Sequence, residues 1–294
     1  MTPIRPRRSA LYMPGSNARA IEKAKTLPTD VVIFDLEDAV APDVKEQARE
    51  QVCAAVKAGG YGRRELVIRV NSLETSWGEA DLAAAAAAAP DAILVPKVSS
   101  AETLAAVGLR LRKLGAAERT RVWAMIETPL AILQAELIAS AARDVDTRLA
   151  CLVMGTNDLA KETRARLLPG RAAMLPWLMT ALAAARAHGI DILDGVYNSL
   201  SDESGFRSEC EQGRDCGFDG KTLIHPDQIT VANEIFAPSP EEVEGARAIA
   251  AAFEQPEHAG KGAISLNGRM VERLHAEMAR RTLAVAEAIE QRKA

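Results

Sequence analysis

Eight short apolar runs, each followed by a stretch with helical periodicity, set the tightest limit on what this chain of 294 residues can fold into. They are SALYM (9–13), VVIFDL (31–36), ELVIRV (65–70), AILVP (92–96), VWAMIE (122–127), LACLVM (149–154), IDILD (190–194) and FDGKTLI (218–224). Near-continuous apolar runs fit parallel strands covered on both faces, and their alternation with helices is the pattern of repeated βαβ units. Helical patterns are expected over 17–26, 44–57, 80–89, 101–114, 130–142, 174–187, 202–216 and 226–235. An open doubly wound sheet shares this local pattern, but the count of eight favours a (β/α)₈ TIM barrel. A hydrophobic share of 48% with only 4% aromatic residues means a core built from Ala, Val, Leu and Ile.

The run Ala237-Pro238-Ser239-Pro240 interrupts the chain after the eighth unit. The barrel domain is therefore expected over 1–237, with a C-terminal helical extension over 238–294. Within the extension the pattern predicts a helix over 241–254, a turn around Gly260 and Gly262, and a long helix over 268–291.

A formal charge of −4 with scattered Lys and Arg argues against nucleic acid as a partner. The start MTPIRPRRS lacks the apolar core of a signal peptide and no run is long enough to span a bilayer, so a cytoplasmic protein without a membrane partner is expected. Cys53, Cys151, Cys210 and Cys216 show no paired spacing and read as reduced thiols.

In a barrel, side chains at the C-terminal strand ends converge on one mouth. Glu127 closes the fifth run and Asp158 follows the sixth, with no His or Cys cluster beside them. Two such carboxylates suit a hard, oxygen-seeking cation such as Mg²⁺. Asp35 and Glu37 share one orientation after the second run, although acids also favour helix entries. Arg69 lies near the end of the third run, where a cation needs an anion to meet, so it points to the mouth or to a carboxylate partner and suits gripping a carboxylate or stabilising an enolate oxygen. Lys97, after the fourth run, fits similar work or a solvated strand end equally well.

The turn Pro14-Gly15-Ser16-Asn17 opens a helix carrying Arg19 and Lys23 one turn apart, which suits a phosphate site or an ordinary capped helix. His225, just after the last run, fits a catalytic or a structural role, with a structural or ligand-packing role favoured; His188, His258 and His275 read as surface residues, and no Ser-His-Asp spacing supports a hydrolase triad.

Taken together, LYMPGSN, VVIFDLEDAV, RVNSLETSWG, LVPKV, MIETPLAIL, GTNDLAKE and GFDGKTLIHPDQI resemble the citrate lyase beta-subunit-like branch of the HpcH/HpaI aldolase superfamily. The resemblance runs in order from about Ser9 to the end of the chain. It implies a Mg²⁺-dependent barrel that makes or breaks a carbon–carbon bond in a 3-hydroxyacyl thioester of coenzyme A. Glu127 and Asp158 match the family's metal ligands, Arg69 its substrate-binding arginine, and Asp35 and Glu37 the acids that support the metal and its waters. Arg19 and Lys23, with the Pro14-Gly15 turn, match positions near the coenzyme A phosphates.

Two positions depart from the pattern: Asn157 replaces the first acid of a common acid pair, and Glu272 stands where many relatives carry a tail Asp that reaches an adjacent subunit. The resemblance therefore implies an acyl-CoA lyase that splits a malyl-CoA-like or citramalyl-CoA-like substrate into acetyl-CoA and a 2-oxo acid, glyoxylate or pyruvate, with Glu272 as its acid–base group. A thioesterase, a synthase, a citrate lyase beta subunit working on an acyl carrier protein thioester and a pseudoenzyme scaffold are the rivals. The expected partners are small molecules and further copies of the chain, as a trimer or hexamer.

Overall fold

The structure, a computed structural model, describes residues 4–293. Eight parallel strands close into a barrel in sequence order: β1 Ser9–Pro14, β2 Val31–Asp35, β3 Glu65–Arg69, β4 Ala92–Val95, β5 Arg121–Ile126, β6 Leu149–Met154, β7 Asp191–Asp194 and β8 Gly220–Leu223. All eight coincide with the apolar runs. β8 pairs with β1, which leaves the barrel sheet without a free edge. Alternate residues meet in the middle: Val31, Ile33, Val67, Leu94, Trp123, Met125, Cys151 and Val153 form one buried cluster, and the residues between them are covered from outside. At the strand starts Arg7 binds Glu65 through two 2.8 Å bonds, pairs with Asp191 and stacks on Trp123, closing the end remote from the mouth.

Some of the surrounding helices start at side-chain caps. Asn17 accepts from Ala20 N at 3.1 Å, and Thr128 accepts from Ala131 N at 3.0 Å. The expected helix over 130–142 is broken into Pro129–Leu133, Ala135–Ser140 and a 3₁₀ turn, Ala141–Arg143. An additional helix, Thr156–Thr163, follows β6 where none was expected. Only Thr156, Leu159 and Ala160 of it are buried, too few to leave a periodic stripe.

The described residues divide into two compact units, Arg7–Asn233 and the remainder, 4–6 with 234–293. In the second unit a Ser239/Glu242 capping box starts the helix Pro240–Glu254, which packs against the helix Arg273–Lys293. The helix expected over 268–291 is therefore too long at its start. Residues β9 Ala263–Leu266 and β10 Arg269–Glu272 form an antiparallel hairpin, turned by Asn267 and Gly268 at φ 51° and 76°. Asn-Gly is the dipeptide that accepts two positive φ angles in a two-residue hairpin loop. No helix among the described residues is long and apolar enough to cross a membrane, and the four cysteines are unpaired.

Candidate active site

Period-two alternation carries the inward face of each strand to the rim. Ile33 is inward, so Asp35 ends β2 at the mouth; Val67 places Arg69 in the same way, and Met125 places Glu127 one residue beyond β5. The β2–β3 register sets Asp35 directly opposite Arg69. Arg69 Nε donates to Asp35 Oδ1 at 2.7 Å and Nη2 to Oδ2 at 2.6 Å, a two-pronged grip. Its Nη1 lies 3.0 Å from Glu37 Oε2 and 3.2 Å from Asp38 Oδ2, and the guanidinium stacks 4.8 Å above the Tyr12 ring. Arg69 Nη1 also lies 3.7 Å from Met125 Sδ. Burial opposes the charge, but Asp35, Tyr12 and Glu37 outweigh it and hold the Arg69 pKa well above its ordinary value.

Asp35 is fully engaged, since it also accepts from the backbone of Glu37 at 2.8 Å and of Ala39 at 3.0 Å. It fixes Arg69 and the chain leaving β2. Glu37 divides its carboxylate between Arg69 and Lys97 Nζ, which donates to Oε1 at 2.6 Å. Burial pushes the Glu37 pKa up against the pull of both cations.

Lys97 does more than end a strand. It holds a positive φ of 53°, a region that costs a non-glycine residue energy and persists where surrounding structure over-determines it. In that conformation its N–H donates to Glu127 Oε1 at 2.6 Å. The other oxygen, Glu127 Oε2, is buried without a hydrogen-bond partner in the protein. Burial first, and the Glu37 charge second, push the Glu127 carboxyl up to about 7. Gly155 gives that oxygen room, because a Cβ there would stand 2.5 Å from Oε2.

Glu127 and Asp158 line one cavity of about 290 Å³ together with Arg69, Tyr12, Thr156 and Asn157. Asp158 sits half-buried in the first turn of the helix Thr156–Thr163. No cluster of three or more His, Cys, Asp or Glu able to hold a metal occurs among the described residues. Two protein carboxylates, one with a buried oxygen in need of a partner, nevertheless fit a hard divalent cation whose remaining ligands are substrate and water oxygens. Five carboxyl groups around the mouth (Asp35, Glu37, Asp38, Glu127, Asp158) against two cations (Arg69, Lys97) give it a negative balance.

Of the other residues singled out by sequence, Pro14, Gly15, Arg19 and Lys23 do not line this cavity. Arg19 and Lys23 are exposed on the short helix Ala18–Lys23, beside Pro14 at the end of β1. Gly15 spends its backbone on the fold: its N–H donates to Asp35 O and its carbonyl accepts from Gln51, both at 2.8 Å. A Cβ at Gly15 would stand 2.6 Å from Asp35 O, so close packing demands glycine there. Glu272 belongs to the second unit, at the end of β10, where its N–H donates to His275 Nδ1 at 3.0 Å. Asn157 exchanges two amide bonds with Asn198. His188 is not a surface group, because its ring is 1% exposed and meets Glu136 at 2.9 Å.

The family model for HpcH/HpaI aldolase/citrate lyase matches residues 8–226. A (3S)-malyl-CoA thioesterase of Cereibacter sphaeroides is 52% identical over 284 residues, spanning 97% of this chain and 96% of that protein. Citrate lyase subunit beta of Escherichia coli is 36% identical over 288 residues, spanning 96% and 94%. Among solved structures, protein CitE from Mycobacterium tuberculosis in complex with magnesium, acetoacetate and coenzyme A is 28% identical, with a TM-score of 0.76 over 95% of this chain and 97% of that one.

Proposed function

Because the chain belongs to the HpcH/HpaI aldolase/citrate lyase family, we propose that it is an enzyme acting on a malyl-type 3-hydroxyacyl thioester of coenzyme A, and that its net reaction is hydrolysis of the thioester. The observation that carries the reading is Glu127, a buried carboxylate with one oxygen fixed by Lys97 and the other free on a cavity shared with Asp158 and Arg69. The 52% identity to a (3S)-malyl-CoA thioesterase along nearly the whole chain supports hydrolysis over carbon–carbon cleavage.

Glu127 and Asp158 would hold Mg²⁺. When bound, the ion supplies a Lewis acid and a template for the carboxylate and hydroxyl of the malyl group. Arg69 would then face the thioester carbonyl, its charge fixed in place by Asp35 and Glu37 and so paying no reorganisation as negative charge develops on that oxygen. The same cation serves a tetrahedral oxyanion in hydrolysis and an enolate in cleavage. What separates the outcomes is whether a water is held at the carbonyl carbon or a base removes the proton of the 3-hydroxyl. Arg19 and Lys23, exposed beyond β1, would take coenzyme A phosphates. Glu272 would move a proton, reaching the mouth of a neighbouring copy in a homo-oligomer.

Carbon–carbon cleavage is the second reading, favoured by the 36% identity to citrate lyase subunit beta and by a guanidinium suited to an enolate. Parallel assays of free thiol and 2-oxo acid from (3S)-malyl-CoA with Mg²⁺ separate the two. Thiol without oxo acid is expected, whereas equal acetyl-CoA and glyoxylate with no thiol would replace hydrolysis by cleavage.

A further inference from the structure

A second cavity, of about 180 Å³, adjoins the mouth and shares Thr156 and Val196 with it. Its other walls differ in exposure: Leu168, Pro169 and Ser199 lie at the surface, whereas Arg171 is buried. The Thr156 side chain stands where the two cavities meet. It is only 3% exposed, yet its hydroxyl finds no hydrogen-bond partner in the protein. A threonine hydroxyl offers one donor and two acceptor sites, and leaving all of them unused in a buried position is destabilising. The fold also keeps room for it, because a Cβ on Gly195 would stand 2.4 Å from Thr156 Oγ1. Thr156 is two residues from Asp158 and lines the same cavity as Glu127 and Arg69.

We propose that Thr156 holds the hydrolytic water, which reaches it from solvent through the second cavity. The inference rests on the hydrolytic reading above. The wall of the second cavity is mixed: the paired Arg171 and Glu209 and the exposed Asn198 and Ser199 give a water hydrogen-bonding groups beside Leu167, Leu168 and Pro169. Water donates one hydrogen bond to Thr156 Oγ1, which leaves an oxygen lone pair for the thioester carbonyl carbon. The C–O bond forms and the C–S bond breaks with its electron pair going to sulfur. Of the two water protons, one ends on the thiol and the other on the new carboxylic acid. Thr156 thus acts as a positioning group for the water and accepts no proton permanently.

The test compares the wild type with Thr156→Val, which keeps the shape and removes the hydroxyl, and Thr156→Ser, which keeps the hydroxyl. Thiol release from (3S)-malyl-CoA is followed at saturating and limiting substrate, with urea unfolding as the check on the fold. Thr156→Val is expected to lose turnover on the order of a hundredfold at unchanged KM, as for a misplaced reactant. Its stability should match or exceed the wild type, since an unpaired buried hydroxyl is gone. Thr156→Ser should recover most of the rate. Wild-type turnover in Thr156→Val, or a raised KM with intact kcat, would overturn the assignment of water to Thr156 while leaving hydrolysis standing. Absence of thiol release by the wild type itself would remove the hydrolytic reading and this inference with it.

Discussion

Glu127 imposes a measurable burden on the folded protein when no cation is bound, and Glu127→Gln should lift it. In the unfolded chain this carboxyl ionises near its ordinary value of 4.5, whereas burial, and then the Glu37 charge, push it up to about 7 in the barrel. Between those values the folded state retains a proton that the unfolded state has released. Stability therefore falls as pH rises through this window, and the loss is complete above about 7. A difference of about 2.5 pH units at about 1.4 kcal/mol each amounts to about 3 kcal/mol. Glutamine keeps an oxygen for the Lys97 N–H and carries no charge. In EDTA, urea unfolding should find Glu127→Gln more stable than the wild type by about 3 kcal/mol at pH 8 and equal to it below pH 4.5. Saturating Mg²⁺ should narrow the gap by stabilising only the wild type. Equal urea midpoints at pH 8, or a gap that does not change with pH, would refute the reasoning.

Gly155→Ala places a methyl group 2.4 Å from Glu127 Cβ, so the carboxylate must turn away; Mn²⁺ titration should find weakened binding, alongside a stability loss of about 1–3 kcal/mol. Arg69→Lys gives up the two-pronged grip on Asp35, and kcat should fall at least about a hundredfold, because a point charge cannot hold the same orientation. A near-normal kcat would make Arg69 structural. Glu272→Ala should lose most turnover while retaining divalent-cation binding. If the site is shared between copies, mixing Glu272→Ala with Asp158→Ala subunits restores part of the activity, and verified hybrids that stay inactive would rule sharing out.

The barrel was legible because parallel strands leave continuous apolar runs, and the site acids followed from where those runs end. Asp35, Arg69 and Glu127 needed only the two-residue alternation continued past Ile33, Val67 and Met125. What the strand pattern hid were the contacts between strands. It placed Arg69 at the mouth but could not say that Asp35 would take two of its N–H groups. Nothing local marks Lys97 as adopting a positive φ, a conformation held by its bonds to Glu127 and Glu37 from other strand ends. The helix carrying Asp158 escaped notice because three buried residues make no stripe. The covered His188 ring meets Glu136 on another helix, 52 residues away in sequence. The hairpin before Arg273 was readable: Asn267-Gly268 sits between the segments AISL and RMVE, a standard two-residue turn signal.

Hydrolysis of (3S)-malyl-CoA in ¹⁸O-labelled water, with mass analysis of every product, tests the central claim most directly. The account predicts Mg²⁺-dependent release of free coenzyme A and of malate carrying one labelled oxygen in its new carboxyl group, with no glyoxylate and no turnover in EDTA. Stoichiometric acetyl-CoA and glyoxylate without labelled malate, or full turnover in EDTA, would contradict it.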